Sequence, residues 1–228
     1  ITGGRPVIMF AGSSKNMAPG DSEPLFVLRW LLALRASTVP LLRDAFVIVR
    51  PHPTNTEPWR ERVEELTQLN AAVAPREYSG IPLTGAEVDF FHDSLLASAA
   101  VVGVNTTAMI EAAIVGRPVL TVSDPAFSHS QRETLHFAHL AGGDGCALVA
   151  ATLDEHLVQL RDALAQPGMR AAALDRFVRT FVRPHGLDRR ATDCLCDALE
   201  GMLAPASRPV TVGVPHDRPT LTSVRRRP

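Results

Sequence analysis

The sequence predicts an α/β fold: a doubly wound parallel sheet of about six strands, with helices on both faces and a helical C-terminal extension. Two observations carry this. Short β-branched runs alternate along the chain with stretches of helical period, as βαβ units require. The composition, 46% hydrophobic and 21% charged over 228 residues, supplies one large core and is not that of a disordered chain.

In order, Pro6 to Phe10 is a first strand, ending in the small polar loop Ala11-Gly12-Ser13-Ser14-Lys15-Asn16. A helix follows over Pro24 to Ala36, apolar almost all round and therefore expected to be buried. Phe46 to Arg50 is a second strand, stopped by Pro51-His52-Pro53. Trp59, Val63, Leu66 and Leu69 mark one face of a single helix, and Ala71 to Ala74 a short third strand. Phe90, Phe91, Leu95 and Leu96 mark a helix leading into a fourth strand, 99–104. Asn105-Thr106-Thr107 then caps a helix running to Ile114, with Gly116 as its left-handed stop and Pro118 preventing continuation. Val119 to Val122 is a fifth strand and Cys146 to Val149 a sixth. Thr152-x-x-Glu155 reads as a capping box for a helix with Leu153, Leu157, Leu160 and Leu164 on one side. Helical stretches over 168–181 and 187–203 close the ordered domain, 1–203, and residues 204–228 read as a disordered tail.

The charge balance, 23 basic against 24 acidic residues, gives no field for nucleic acid or an anionic membrane. No stretch approaches the roughly 20 apolar residues of a membrane span. The three cysteines, Cys146, Cys194 and Cys196, fit neither a disulfide framework nor a zinc set. They read as buried thiols of a cytoplasmic protein. The chain opens on Ile1 and reaches a strand by Pro6, so it is expected to be one part of a longer protein.

In an open α/β sheet, ligands bind beyond the carboxyl ends of the strands. Four loops therefore hold the candidates. After the fourth strand, the helix start at Asn105, Thr106 and Thr107 favours an anion such as a phosphate, and Glu111 one turn on suits a ribose diol. The plain alternative is a helix cap and a solvated carboxylate. After the second strand, two prolines hold His52 rigidly beside Arg50, where imidazole and guanidinium suit phosphate oxygens. A merely structural turn histidine is the competing reading. After the first strand, Ser13, Ser14 and Lys15 offer small polar side chains and the only lysine, but no P-loop ending. The segment Asp124 to His139 holds His129, His136 and His139 with Gln131, Arg132 and Thr134. No carboxylate completes a recognisable metal set with these histidines, and the segment is expected to form a wall for a ligand.

The stretch from Ala100 through Asn105-Thr106-Thr107 and Glu111 to Gly116-Arg117-Pro118-Val119 resembles the donor-nucleotide motif of GT-B fold glycosyltransferases. The turn Arg50-Pro51-His52-Pro53 resembles the His-Pro element of capsule and teichoic-acid transferases, including CDP-glycerol glycerophosphotransferases. The resemblance covers roughly Pro6 to Leu203. It implies a Rossmann-like, carboxyl-terminal donor half whose ligand is a nucleotide-diphosphate sugar or polyol. Phosphates would fall at Asn105, Thr106, Thr107 and His52, and ribose at Glu111. It also implies an acceptor-side domain as partner, no separate cofactor and no metal.

Three functions compete. The first is the donor-binding half of such a transferase, with His52 acting on the leaving diphosphate. The second is a UDP-sugar 2-epimerase-like enzyme, which needs acid/base carboxylates such as Asp89 and Asp93. The third is a non-catalytic doubly wound binding domain, because fold does not dictate function.

Overall fold

In a computed structural model of the chain, residues 4–74 and 85–203 are described. They belong to two compact units, one reaching to Leu187 and one starting at Asp188. The tail expected over 204–228 lies outside the described residues.

The first unit is built on six strands: β1 (Val7–Ala11), β2 (Phe46–Arg50), β3 (Ala71–Val73), β4 (Ala100–Gly103), β5 (Val119–Val122) and β6 (Ala147–Ala150). All pair in parallel, in the order β3-β2-β1-β4-β5-β6. The chain builds outward from β1 in one direction through β3, then returns and builds the other way from β4. The carboxyl ends of β1 and β4 therefore border the crevice of a Rossmann-like sheet. Ala11 pairs with both Arg50 and Gly103, so the loops after three strands leave the sheet at one level.

Each strand face feeds its own layer. Ile8, Phe10, Val102, Leu120 and Val122 pack with α1 (Ser22–Ala36) and α9 (Leu153–Ala165). Met9, Ala11, Val101 and Val119 pack instead with α5 (Gly85–Ala97), α6 (Ala108–Ile114) and α10 (Ala171–Phe177). Thr152 caps α9, its hydroxyl accepting from Glu155 N at 3.2 Å, while the Glu155 carboxylate reaches back one residue further than a capping box requires and accepts from Ala151 N at 2.7 Å. Gly116, at φ +73°, ends α6, and Arg117 N reaches back to Ala112 O at 2.9 Å.

Local patterns mislead in four places. The helix read from Trp59 to Leu69 is two, Glu57–Arg60 and Val63–Gln68, separated by a turn in which Arg62 N meets Trp59 O. That break seats Trp59 against Phe10, ring centroids 6.0 Å apart. In α1, Leu25 and Leu32 are exposed, so the helix buries one broad face rather than its whole surface. The segment after β5 is not a plain loop. It forms a short turn (Pro125–Phe127) and two short helices (Ser128–Arg132, Leu135–Ala141), started by Asp124 and Thr134 side chains that accept from Ala126 N and Phe137 N. After α10 the chain widens into a π turn over Val178–Val182, Arg183 N bonding Val178 O.

The second unit is described as the helix Ala191–Leu203, carrying exposed Leu195, Leu199 and Met202. Cys194 there is half-buried and Cys196 exposed, which corrects the expectation of three buried thiols. Only Cys146 is buried, and burial pushes its thiol up to about 11. Among the described residues no helix is long and apolar enough to cross a membrane.

Candidate functional site

Two adjoining cavities lie at the carboxyl edge of the sheet. The larger, about 320 Å³, lies among Gly12, Arg50, His52, Phe91, Thr107 and Glu111. The smaller, about 250 Å³, is lined by Ser14, Met17, His52, Asn105, Thr106, Thr107, Thr134 and His136. His52, Thr106 and Thr107 border both. Together the cavities reach the size of ordinary small-molecule sites.

Gly12 sets the first contact. Its N–H donates to Arg50 O at 2.8 Å, and a Cβ there would stand 2.9 Å from Arg50 O and His52 N and 3.0 Å from Pro51 Cα. All three are backbone atoms and cannot turn aside. Gly12→Ala is therefore expected to cost about 1–3 kcal/mol, read from urea denaturation. It would also displace the His52 turn. A variant as stable as the parent would show that the β1 and β2 loops give way freely.

His52 is held by its own turn. Thr54 N–H donates to Nδ1 at 3.2 Å, and the Thr54 hydroxyl lies 2.8 Å from the same atom. An Nδ1 that accepts from a backbone N–H leaves the neutral ring's proton on Nε2. Burial lowers the pKa of His52 below the ordinary histidine value, which favours that neutral donor. Beside it, Arg50 is buried, its guanidinium stacked 4.9 Å from the Phe91 ring and 5.2 Å from Phe90.

Asn105 does not cap α6. The position before the helix is Thr107, which makes no side-chain cap bond. Asn105 is buried and turned to the next loop: Nδ2 donates to Ser130 O at 2.6 Å and Thr134 Oγ1 at 3.0 Å, while Oδ1 lies 2.5 Å from His136 Nδ1. The local letters signal a cap, but a carbonyl 25 residues away claims the amide. Thr106 is buried and Thr107 exposed; both line the cavities. The half-buried Glu111 stands on the larger cavity, its pKa raised by burial against a smaller opposing pull from His92.

The first loop divides. Ser14 lines the smaller cavity, whereas Ser13 is fully buried and structural: its N–H donates to the Glu23 carboxyl at 2.9 and 3.1 Å, its hydroxyl accepts from Asn105 N at 3.3 Å, and its carbonyl accepts from Asn55. Lys15 is exposed and lines neither cavity. Of the later segment, Thr134 and His136 line the smaller cavity. Gln131 is a staple between strand ends, Nε2 donating to Val122 O at 2.9 Å and Oε1 accepting from Asp124 N at 3.2 Å. Asp89 and Asp93 are exposed and line neither cavity, so the carboxylates an epimerase would use are not brought to the site.

Sequence reasoning missed Val88, Phe91 and His92 as cavity residues. They lie in a segment read for helical period and for the carboxylates Asp89 and Asp93, and no local signal marks which turn of α5 faces the cavity. Among the described residues no group of three His, Cys, Asp or Glu side chains could hold a metal ion.

No protein-family model matches the chain, and no curated protein does. Solved structures do. The chain is similar to ADP-heptose LPS heptosyltransferase II of E. coli, at 19% identity over 72% of this chain and 48% of that one, TM-score 0.45. It is similar to TarM at 13% identity, over 88% and 35%, TM-score 0.42, and to the wall teichoic acid polymerase TagF at 15%, over 89% and 45%, TM-score 0.40. The chain thus spans less than half the length of each of these proteins.

Proposed function

We propose that the chain is the donor-binding half of a glycosyltransferase or of a related polyol-phosphate transferase. It would hold a nucleotide-diphosphate sugar or polyol by its phosphates and ribose. One observation carries this reading: His52, Thr106 and Thr107 stand where the two cavities join, with Glu111 on the larger. A ligand with an anionic centre and a group on either side fits that arrangement. The diphosphate sits at the junction, taking the Nε2–H of His52 and the threonine hydroxyls. The nucleoside enters the larger cavity, where Glu111 meets the ribose diol and Phe91 offers apolar contact.

Chemistry follows from charge. In sugar transfer the bond from the sugar carbon to the outer phosphate oxygen breaks and its electron pair stays on the nucleoside diphosphate. In polyol-phosphate transfer the bond from the bridging oxygen to the outer phosphorus breaks and the pair stays on the nucleoside monophosphate. Preorganised donors at the junction stabilise that charge more than they stabilise the intact donor. The acceptor and the base that deprotonates it belong to a partner domain in this reading.

Binding of UDP, CDP, ADP and GDP by calorimetry and thermal shift, on the parent, His52→Ala and Glu111→Ala, tests it. At 100 times Kd a nucleotide stabilises the fold by about 2.7 kcal/mol. Losing the His52 bond to a charged phosphate is expected to cost about 1.5–3 kcal/mol of binding, and Glu111→Ala about 1 kcal/mol. Nucleotide binding that neither substitution weakens overturns the proposal, as does no binding of any of the four by the parent.

A further inference from the structure

The chain after β1 folds into a small turn that side chains tie to the rest of the domain. Met17 N and Ala18 N both donate to Ser14 O, at 2.9 and 3.0 Å, so residues 14–18 close on themselves. Gly12 precedes this turn and Gly20, at φ +59°, follows it. Ser14 and Met17 form one wall of the smaller cavity. Asn55 holds the turn by donating from Nδ2 to Ser13 O and Ala18 O, at 3.2 and 3.0 Å. Asn105 N donates to Ser13 Oγ at 3.3 Å. Glu23, in the first turn of α1, accepts the Ser13 N–H on both carboxyl oxygens, at 2.9 and 3.1 Å.

Of these three ties only the one to Glu23 can gain or lose a charge. Glu23 is fully buried. Several titratable groups stand on the elements around it. Lys15 belongs to the turn itself, and Asp21, just after it, pairs with Arg62 at 3.7 Å. His52 shares a turn with Asn55, His129 lies 3.4 Å from Asn16 O, and His136 meets Asn105. Arg29, further along α1, is turned to Asp124. None of them acts on Glu23: burial raises its pKa to about 8, and only the Ser13 bonds oppose it. A carboxylate there would lose its water and meet no cation. With the turn swung away, Glu23 reaches solvent and its ordinary value of 4.5. Closing the turn therefore takes up a proton between those two values.

We infer that residues 13–18 are a movable wall of the smaller cavity and that Glu23 is its latch, the neutral carboxyl holding Ser13 inward and loss of its proton releasing the turn. Opening carries Ser14 and Met17 off the cavity, so the same proton governs access to it. The open fraction rises about tenfold per pH unit from pH 4.5 and levels off near pH 8. No nucleotide enters the test, so its outcome does not depend on the donor-half reading.

Amide hydrogen exchange, followed by NMR on the full chain from about pH 6.5 to about pH 8, reads the latch where exchange reports the opening equilibrium. In the parent the Ser13 and Asn105 amides should speed up about a hundredfold per pH unit, about tenfold from hydroxide catalysis and about tenfold from Glu23. In Glu23→Gln, whose carbonyl still accepts the Ser13 N–H but does not titrate, only the first factor should remain. Val101, whose N–H donates to Pro118 O at 2.9 Å within the sheet, should exchange more slowly than both at every pH. The ¹³C shift of the Glu23 carboxyl in the folded chain should titrate near pH 8. Parent amides that gain only tenfold per unit overturn the inference, as does a Gln variant that gains a hundredfold. Ser13 and Asn105 exchanging at the rate of Val101 overturn it too, because the turn would then open only with the whole fold. So does a carboxyl that titrates near pH 4.5 in the folded chain. Should Glu23→Gln fail to fold, the parent's exchange and the carboxyl titration decide.

Discussion

Truncating Phe10 to alanine is expected to destabilise the first unit by about 3–5 kcal/mol, with a fall in Tm of roughly 6–20 °C. Phe10 is fully buried in the middle strand pair, and its ring meets those of Phe26, Trp30 and Trp59 at centroid distances of 6.3, 6.1 and 6.0 Å. Three large, fixed neighbours cannot collapse into the space it would leave, so the cavity term adds to the lost transfer energy. The residue also stands two places before Gly12, so the same substitution should loosen the floor of the site. Thermal denaturation with and without nucleotide separates the two effects. A loss under about 1 kcal/mol would show that the aromatic layer repacks, contrary to its interior density.

Two buried titrating groups make the second large effect. His156 is fully buried against Trp30, both ring nitrogens lacking a hydrogen-bond partner, and burial lowers its pKa to about 4. The folded state therefore binds this proton more weakly than the unfolded chain. The stability that neutral His156 allows is complete above pH 6.5 and lost as pH falls towards 4, by about 3 kcal/mol. Glu23 works in the opposite sense. Burial raises its pKa to about 8 despite the opposing hydrogen bonds from Ser13, so its contribution is complete below pH 4.5 and lost as pH rises towards 8. Between pH 4.5 and 6.5 the two slopes offset, and the parent chain is expected to show a plateau there, with stability declining from pH 6.5 to 8. The stability difference between His156→Leu and the parent isolates the histidine. It should move in favour of the variant by about 3 kcal/mol from pH 7 to pH 4. A pH-independent difference would mean that His156 is hydrated or hydrogen-bonded in the fold.

How far the sequence discloses this protein depends on the range of the contact that decides each feature. Phe46–Arg50 and Val119–Val122 are strands to the residue, since β-branched runs bounded by Pro51 and Pro118 specify themselves locally. That the cavities lie beyond the carboxyl edge follows from the same reading, because the rule of carboxyl-end loops needs only a parallel sheet. What each side chain does there is another matter. Asn105 reads as a cap because the three letters before a helix favour one, yet Ser130 and Thr134 in the next loop take its amide. Ser13 and Lys15 share a loop with Ser14, but Glu23 and Asn55 bind the Ser13 backbone inward and Lys15 is left in solvent. The broken helix before β3 is decided by Trp59 meeting Phe10, a strand away. Such choices are tertiary, and no period or propensity encodes them.

The arrangement of the strands also bears on how the protein comes to be folded. Ile8 lies beside Ala100 in the sheet, so the crevice needs a contact between segments far apart along the chain. That closure is entropically costly and belongs to topologies that fold slowly. A nascent β1–β2–β3 half can pair its own strands, but it holds His52 without Thr106, Thr107 or Glu111. A bound nucleotide would then lengthen the lifetime of the finished domain by slowing its unfolding, and would do little to hasten its formation.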